Sequence, residues 1–361
     1  MTIAVTPSIE TSAQPLLREL LYTICPVLVA SNVALELGWI HDELARVGAR
    51  PTYLRSAASD TDWPAHYSHA SHRLIRDGGN SPAIWSNADI RPTVLVGLTQ
   101  AQPAGKIVVR ADSGVYRVAD LKGRRIAIYK SQRNEKIDHR RATTEHGILA
   151  ALALHGLERG DVEWVDIEDA DAHAEAAAET PAGIWAQRRA TRIDTSTLES
   201  RALDAGKVDA LYDYSIGVTS QLEATGRFKV IDDLDLYPDW TLRIANAPRT
   251  LAVSREFAEQ NRDVVVAWLR AAIRAGRWIN ANPEAAADIF FRTTIYADRD
   301  AIAKVLRGYD LVPNLSAQNL SGLAIEKTFL HDHRYIANDF DVNAWADPSY
   351  LDEAHASLRA G

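Results

Sequence analysis

Asp120-Leu121-Lys122-Gly123-Arg124-Arg125, followed at once by Ile126-Ala127-Ile128-Tyr129, is the stretch on which the fold turns. The first six residues are mostly charged and contain a glycine, which suits a short helical turn; the next four are apolar, which suits a buried strand. Set well inside the chain, this pair reads as the opening of a second structural unit. Upstream, Leu20 to Ile24 is a candidate strand and Pro26 to Leu37 the helix after it, stopped at Gly38. Arg91 to Thr99 and Gly105 to Arg110 read as further strands. Downstream, Gly206-Lys207-Val208-Asp209-Ala210-Leu211 leads into a late strand of the second unit, and Thr250 to Val253 starts the return to the first. Val264 to Ile279 carries Val265, Trp268, Leu269, Ala272 and Ile273 on one apolar stripe, a long helix against a core that takes Trp268 and Trp278. Asn282-Pro283-Glu284 opens the next helix, with proline near its first position. Strands alternating with helices predict an α/β fold with mainly parallel sheets.

A first unit that gives way to a second and is later rejoined resembles the periplasmic-binding-protein-like fold, type II, with two chain crossings. The expected architecture is two lobes with an interlobe cleft: residues 1–110 plus 246–361 as lobe one and 111–245 as lobe two. An α/β arrangement of this kind places its ligand at the C-terminal ends of strands and the N-termini of helices.

Only two of the 361 residues carry sulfur, Met1 and Cys25. Such scarcity suggests a protein made when sulfur is short, and under that pressure a merely structural cysteine is readily exchanged, since a buried thiol behaves as a small hydrophobe. A cysteine that survives is read as chemical; the competing reading is a core thiol. The net charge of −8 and the lack of a basic stripe argue against nucleic acid. The apolar runs are too short for a membrane span, and a lone cysteine excludes an internal disulfide. Met1 to Gln14 is polar with Glu10 where a signal peptide wants positive charge, and Tyr22-Thr23-Ile24 before Cys25 is no lipoprotein cleavage site. The expected location is the cytoplasm, and the expected state a monomer.

Cys25 falls where the first strand ends, with Pro26 at the expected first helical position, so the positive end of that helix is expected to bias the thiol toward thiolate. The second cluster is His66-Tyr67-Ser68-His69-Ala70-Ser71-His72-Arg73-Leu74-Ile75-Arg76-Asp77-Gly78-Gly79. Imidazoles three apart fan over a wide arc of a helix and no carboxylate or second thiol completes a set, so no metal is expected. Arg76 offers a planar fork to a two-oxygen anion, and Gly78-Gly79 lets backbone N–H groups approach it. A histidine brought near the thiol would tune it. The plainer alternative is a solvated helix capped at Gly78.

These residues resemble the hydroxybiphenyl-sulfinate desulfinases of bacterial thiophene desulfurisation. The likeness rests on Cys25-Pro26, on His66-Tyr67-Ser68, and on Arg76-Asp77-Gly78-Gly79 ten positions after the histidine. Weaker similarity runs through Val109 to Ser113, Ala119 to Ile126, Val208 to Tyr212, Glu223 to Gly226 and Trp345-Ala346. The resemblance implies cofactor-free cleavage of a carbon–sulfur bond, an aryl sulfinate plus water giving the arene and sulfite. Arg76, Gly78 and Gly79 would hold the sulfinate oxygens, Cys25 would give a proton to carbon or attack sulfur, and His66 would set the thiol's protonation. Ser131, read as opening a helix after its strand, would add a contact from the other lobe or serve as a simple N-cap.

The chain departs from the family at Thr23-Ile24, where the family has Ser-Asn, so a polar contact near the sulfur is lost or moved. His69 and Ser71 stand at family Tyr and Gln positions, and Thr144 lies where an aromatic would cover a biaryl ring. The organic group of the substrate therefore differs while the chemistry is kept. The rival reading is a sulfonate or other anion receptor of an uptake system on the same fold; a vitamin-precursor synthase on this scaffold would carry cysteine-rich runs that are absent.

Overall fold

A computed structural model describes residues 18–56, 64–133, 135–169, 178–191 and 197–360. The stretch Met1 to Gln14 lies outside the described residues. Ten strands are found among them: β1 (Arg18–Ile24), β2 (Ala49–Tyr53), β3 (Leu74–Gly78), β4 (Thr93–Thr99), β5 (Lys106–Arg110), β6 (Arg125–Ser131), β7 (Glu163–Asp169), β8 (Ala210–Asp213), β9 (Phe228–Asp233) and β10 (Arg249–Ser254). They form two five-stranded sheets, ordered β2-β1-β3-β10-β4 and β7-β6-β8-β5-β9.

The fold is α/β and periplasmic-binding-protein-like, and both sheets are mixed. β1 runs parallel to β2 and β3, whereas β10 is antiparallel to both β3 and β4. The direction follows from the crossings: β4 leaves toward the second sheet, so the strand that comes back enters at the same end and runs the other way. β5, the first strand after the outward crossing, is likewise antiparallel to β8 and β9. Lys106–Arg110, assigned from sequence to the end of lobe one, thus hydrogen-bonds within the second sheet.

β3 was not legible as a strand. All five of its residues are buried although two are charged, and Arg76-Asp77 breaks the apolar run that marks a central strand. A solvated helix ending at Gly78 is excluded by its pairing with β1 and β10. The helix expected from Pro26 begins only at Ala30. Between them the chain bends, with the Val27 N–H donating to the Cys25 carbonyl at 2.7 Å and the Asn32 amide to the Val27 carbonyl at 3.0 Å. The long helix Arg262–Ala281 buries its apolar stripe as expected, and Trp268 donates its indole N–H to Ser31 Oγ at 3.2 Å. Trp278 sits at the core's edge, its ring edge-on to Trp39 at 6.4 Å. Among the described residues no helix is long and apolar enough to cross a membrane.

Candidate active site

The Cys25 N–H donates to the Asp77 carbonyl at 2.8 Å, carrying the β1–β3 ladder one residue beyond β1. The thiol therefore stands at the C-terminal edge of the first sheet, beside Gly78. A Cβ on Gly78 would lie 2.3 Å from the Cys25 sulfur and 2.4 Å from its Cβ, so only glycine leaves room for the thiol. Arg76, two residues back along β3, shares the face of the sheet toward which a Gly78 side chain would point. Its Nη2 donates to the sulfur at 3.0 Å, its Nε to the His66 carbonyl at 2.8 Å and its Nη1 to the Gly79 carbonyl at 2.8 Å.

His66 lies on the short helix Ala65–Ser68, with Nε2 3.7 Å from the sulfur and Nδ1 2.6 Å from Thr23 Oγ1. Burial, then the charge of Arg76, Arg55 and nearby cationic groups, holds this imidazole well below its ordinary value, so it is neutral near pH 7. If Thr23 donates to Nδ1, then Nε2 carries the hydrogen and faces the sulfur as a donor; with the roles exchanged, Nε2 is free to accept the thiol's proton. The polar contact read as lost with Thr23-Ile24 has moved: fully buried Thr23 now orients the histidine.

The three histidines of the cluster part company. His69 takes a left-handed turn with φ 55°, is buried, and meets the Leu74 carbonyl through Nε2 at 2.9 Å. Burial pushes it down to about 4. It pins the turn into β3. His72 is exposed. Among the described residues no group of three or more His, Cys, Asp or Glu is placed to hold a metal.

The second sheet faces this corner through the helix His139–Leu154. Tyr67 meets the His66 ring edge-on at 4.7 Å and stacks on His139 at 5.9 Å, while the Lys136 ammonium lies 5.0 Å over the Tyr67 ring. Ser131 ends β6 and opens no helix. Its N–H donates to Asp138 at 2.7 Å and its Oγ accepts from the Arg133 N–H at 3.1 Å, while Asp138 is the residue that caps the helix by accepting from the Arg141 N–H at 3.2 Å.

The structure thus brings Cys25, His66, Arg76, Gly78 and Gly79 together, and gives Ser131 a place in a capped turn. The helix-end effect expected at Cys25 is replaced by side chains, since the helix starts five residues on. Sequence reasoning missed Asp77, whose carboxyl burial pushes up to about 7, and Arg249 and Tyr296, buried close behind the thiol. Arg249 had a signal: a cation opening an apolar strand at the end that meets the cleft. A cavity of about 680 Å³ at the crossings, lined by Lys106, Tyr214, Trp240 and Tyr309 among others, does not include these residues; the reactive groups lie outside it.

Residues 85–188 match the family model described as NMT1/THI5 like. Over 368 aligned positions the chain is 27% identical to the 2'-hydroxybiphenyl-2-sulfinate desulfinases of Rhodococcus erythropolis and Rhodococcus qingshengii, covering 93% of this chain and 93% of each relative. The crystal structure of the desulfurization enzyme DSZB superposes with TM-score 0.74 at 22% identity, covering 94% of this chain and 99% of that one. A periplasmic sulfonate-binding protein SsuA, of a putative sulfonate transporter from Methylobacillus flagellatus KT, gives TM-score 0.68 at 17% identity, covering 95% and 96%. The likeness in coordinates is one of fold, and that in sequence runs nearly end to end: the chain is similar to the 2'-hydroxybiphenyl-2-sulfinate desulfinases and has a periplasmic-binding-protein-like fold.

Proposed function

We propose that this protein is a cofactor-independent desulfinase that cleaves the carbon–sulfur bond of an aryl sulfinate, the sulfinate and water giving the arene and bisulfite. The observation that carries the reading is the Cys25 sulfur held between the Arg76 guanidinium and the His66 imidazole, 3.0 and 3.7 Å away, beside the bare backbone of Gly78. A receptor has no use for a thiol so placed.

Cys25 gives its proton to the ring carbon that bears sulfur. The carbon–sulfur electron pair becomes the new C–H bond, sulfur leaves as SO2, and water adds to it as bisulfite, releasing a proton that returns to Cys25 through His66. The alternative, attack by the sulfur on the sulfinate, needs a separate acid for the departing aryl carbon. A buried, neutral His66 is a poor one, which favours the thiol as proton donor. Arg76 donates to the sulfur and so stabilises the thiolate left behind.

The test is sulfite release from an aryl sulfinate, benzenesulfinate as well as biphenyl-2-sulfinate, by purified protein without added cofactor. The likeness to sulfonate-binding proteins supports a second reading, an anion receptor. That reading requires binding with no sulfite formed.

A further inference from the structure

Two guanidinium groups are buried at this corner, and neither is neutralised. Arg76 is 1% exposed and Arg249 is 2% exposed. The hydrogen-bond partners of Arg76 are two carbonyls and a thiol. Arg249 Nη2 donates to the side-chain carbonyl of Gln102, and Arg249 Nε, though buried, has no partner. Among the described residues no carboxylate stands within salt-bridge distance of either. Asp77 is near both, but burial pushes it up to about 7, so it is an incomplete counter-ion. A buried cation without a partner is costly, and the cost is tolerated where a ligand supplies the missing charge.

The register places the second cation beside the first. Thr250 pairs with Gly78 across β10 and β3, so Arg249 follows in line with Gly79 at the cleft end of the sheet. Tyr296, buried against Arg249, also lies near Cys25. The Arg76 fork, for its part, is largely spent on holding protein atoms, and so cannot supply the two-point contact expected of it. We propose that Arg249 is a second anchor for the substrate anion, its free Nε–H taking an oxygen of the sulfur group while Arg76 holds the thiol. This rests on the desulfinase reading for the identity of the anion, but the binding step is testable without turnover.

The probe is benzenesulfonate, whose single ring needs no biaryl pocket, and which has the anion and cannot lose SO2 by the same route. With wild type it raises Tm and inhibits sulfite release competitively. Arg249→Met, which removes a buried uncompensated cation, is expected to be at least as thermostable as wild type without ligand and to lose the sulfonate-induced rise in Tm. Its inhibition constant for the sulfonate rises about 10- to 100-fold, the range of a lost charged hydrogen bond, and the loss in turnover falls mainly on KM. Arg249→Lys keeps the charge and recovers part of the affinity. An Arg249→Met protein that is destabilised and still binds the sulfonate as wild type does gives Arg249 a structural role and overturns the proposal, as does a wild type whose Tm ignores the sulfonate. If the sulfonate binds through Arg249 and no sulfite forms from the sulfinate, the anchor stands and the desulfinase reading falls.

Discussion

The two sheets are built to one plan, with corresponding corners. β1 with its edge neighbour β2, then β3, an antiparallel strand and β4 repeat in the second sheet as β6 with β7, then β8, an antiparallel strand and β9. Past the end of β1 stands Cys25, held by Arg76 and His66; the corresponding end of β6 is Ser131, closed into a turn by Asp138 and Arg133. The first corner leaves two buried cations without carboxylates. In the second, Arg140 meets Glu199 at 2.8 Å and lies 3.8 Å from the Tyr129 ring centre, and Asp213 is tied to Thr219 and to the Ser215 N–H. Topology supplies both corners with the same exposed strand ends; among the described residues, the buried cations of the first corner lack the salt-bridged carboxylate that Arg140 finds in the second.

The largest effect should come from the sulfur. Cys25→Ser is expected to fold and to release sulfite at least ~100-fold more slowly, as for a lost proton-transfer group; near-normal release would make the two corners equivalent. Gly78→Ala tests the same point sterically. Its new methyl overlaps the sulfur, so the thiol must leave its place, and we expect a comparable loss of rate with a destabilisation of about 1–3 kcal/mol, read from urea melts.

His66 and His69 sharpen the contrast within one segment. His66→Gln should slow turnover about 100-fold and move the pH profile of Cys25 alkylation, because its Nε2 faces the sulfur. His69→Gln should leave that profile in place and act on stability. His69 is pushed down to about 4 when folded, against 6.5 ordinarily, so between these values the unfolded chain binds a proton that the folded chain does not. Stability is therefore full above pH 6.5 and falls as pH drops through that window. Removing His69 should flatten the fall by about 1.4 kcal/mol per pH unit. The smallest effect belongs to the second corner: Ser131→Ala is expected to cost no more than ~1 kcal/mol and to change sulfite release less than threefold. A large loss of rate there would bring the second sheet into the reaction.

Much of this was legible in one dimension. The alternation of strands and helices, the two crossings, the solitary thiol and the His66 to Arg76 spacing are local patterns, and each survives in the structure. β3 was hidden because Arg76 and Asp77 interrupt its apolar run, and such a strand is recognisable only once its neighbours cover it. Ser131 was misread as a helix start because a turn with its own cap, Asp138, intervenes.

By itself, then, the sequence determined the α/β class, the order in which the chain visits its two sheets, and a short set of reactive candidates, since periodicity and spacing are properties of neighbours along the chain. Tertiary structure alone decided what those candidates meet. The Arg76 to Cys25 contact spans 51 positions and the Thr23 to His66 contact 43, and the helix expected to act on Cys25 begins too late to do so. Whether a buried cation is neutralised depends on every strand that packs around it, so the sequence marks Arg249 as a cation at a strand start, and only the folded chain shows it buried with no salt-bridged carboxylate among the described residues.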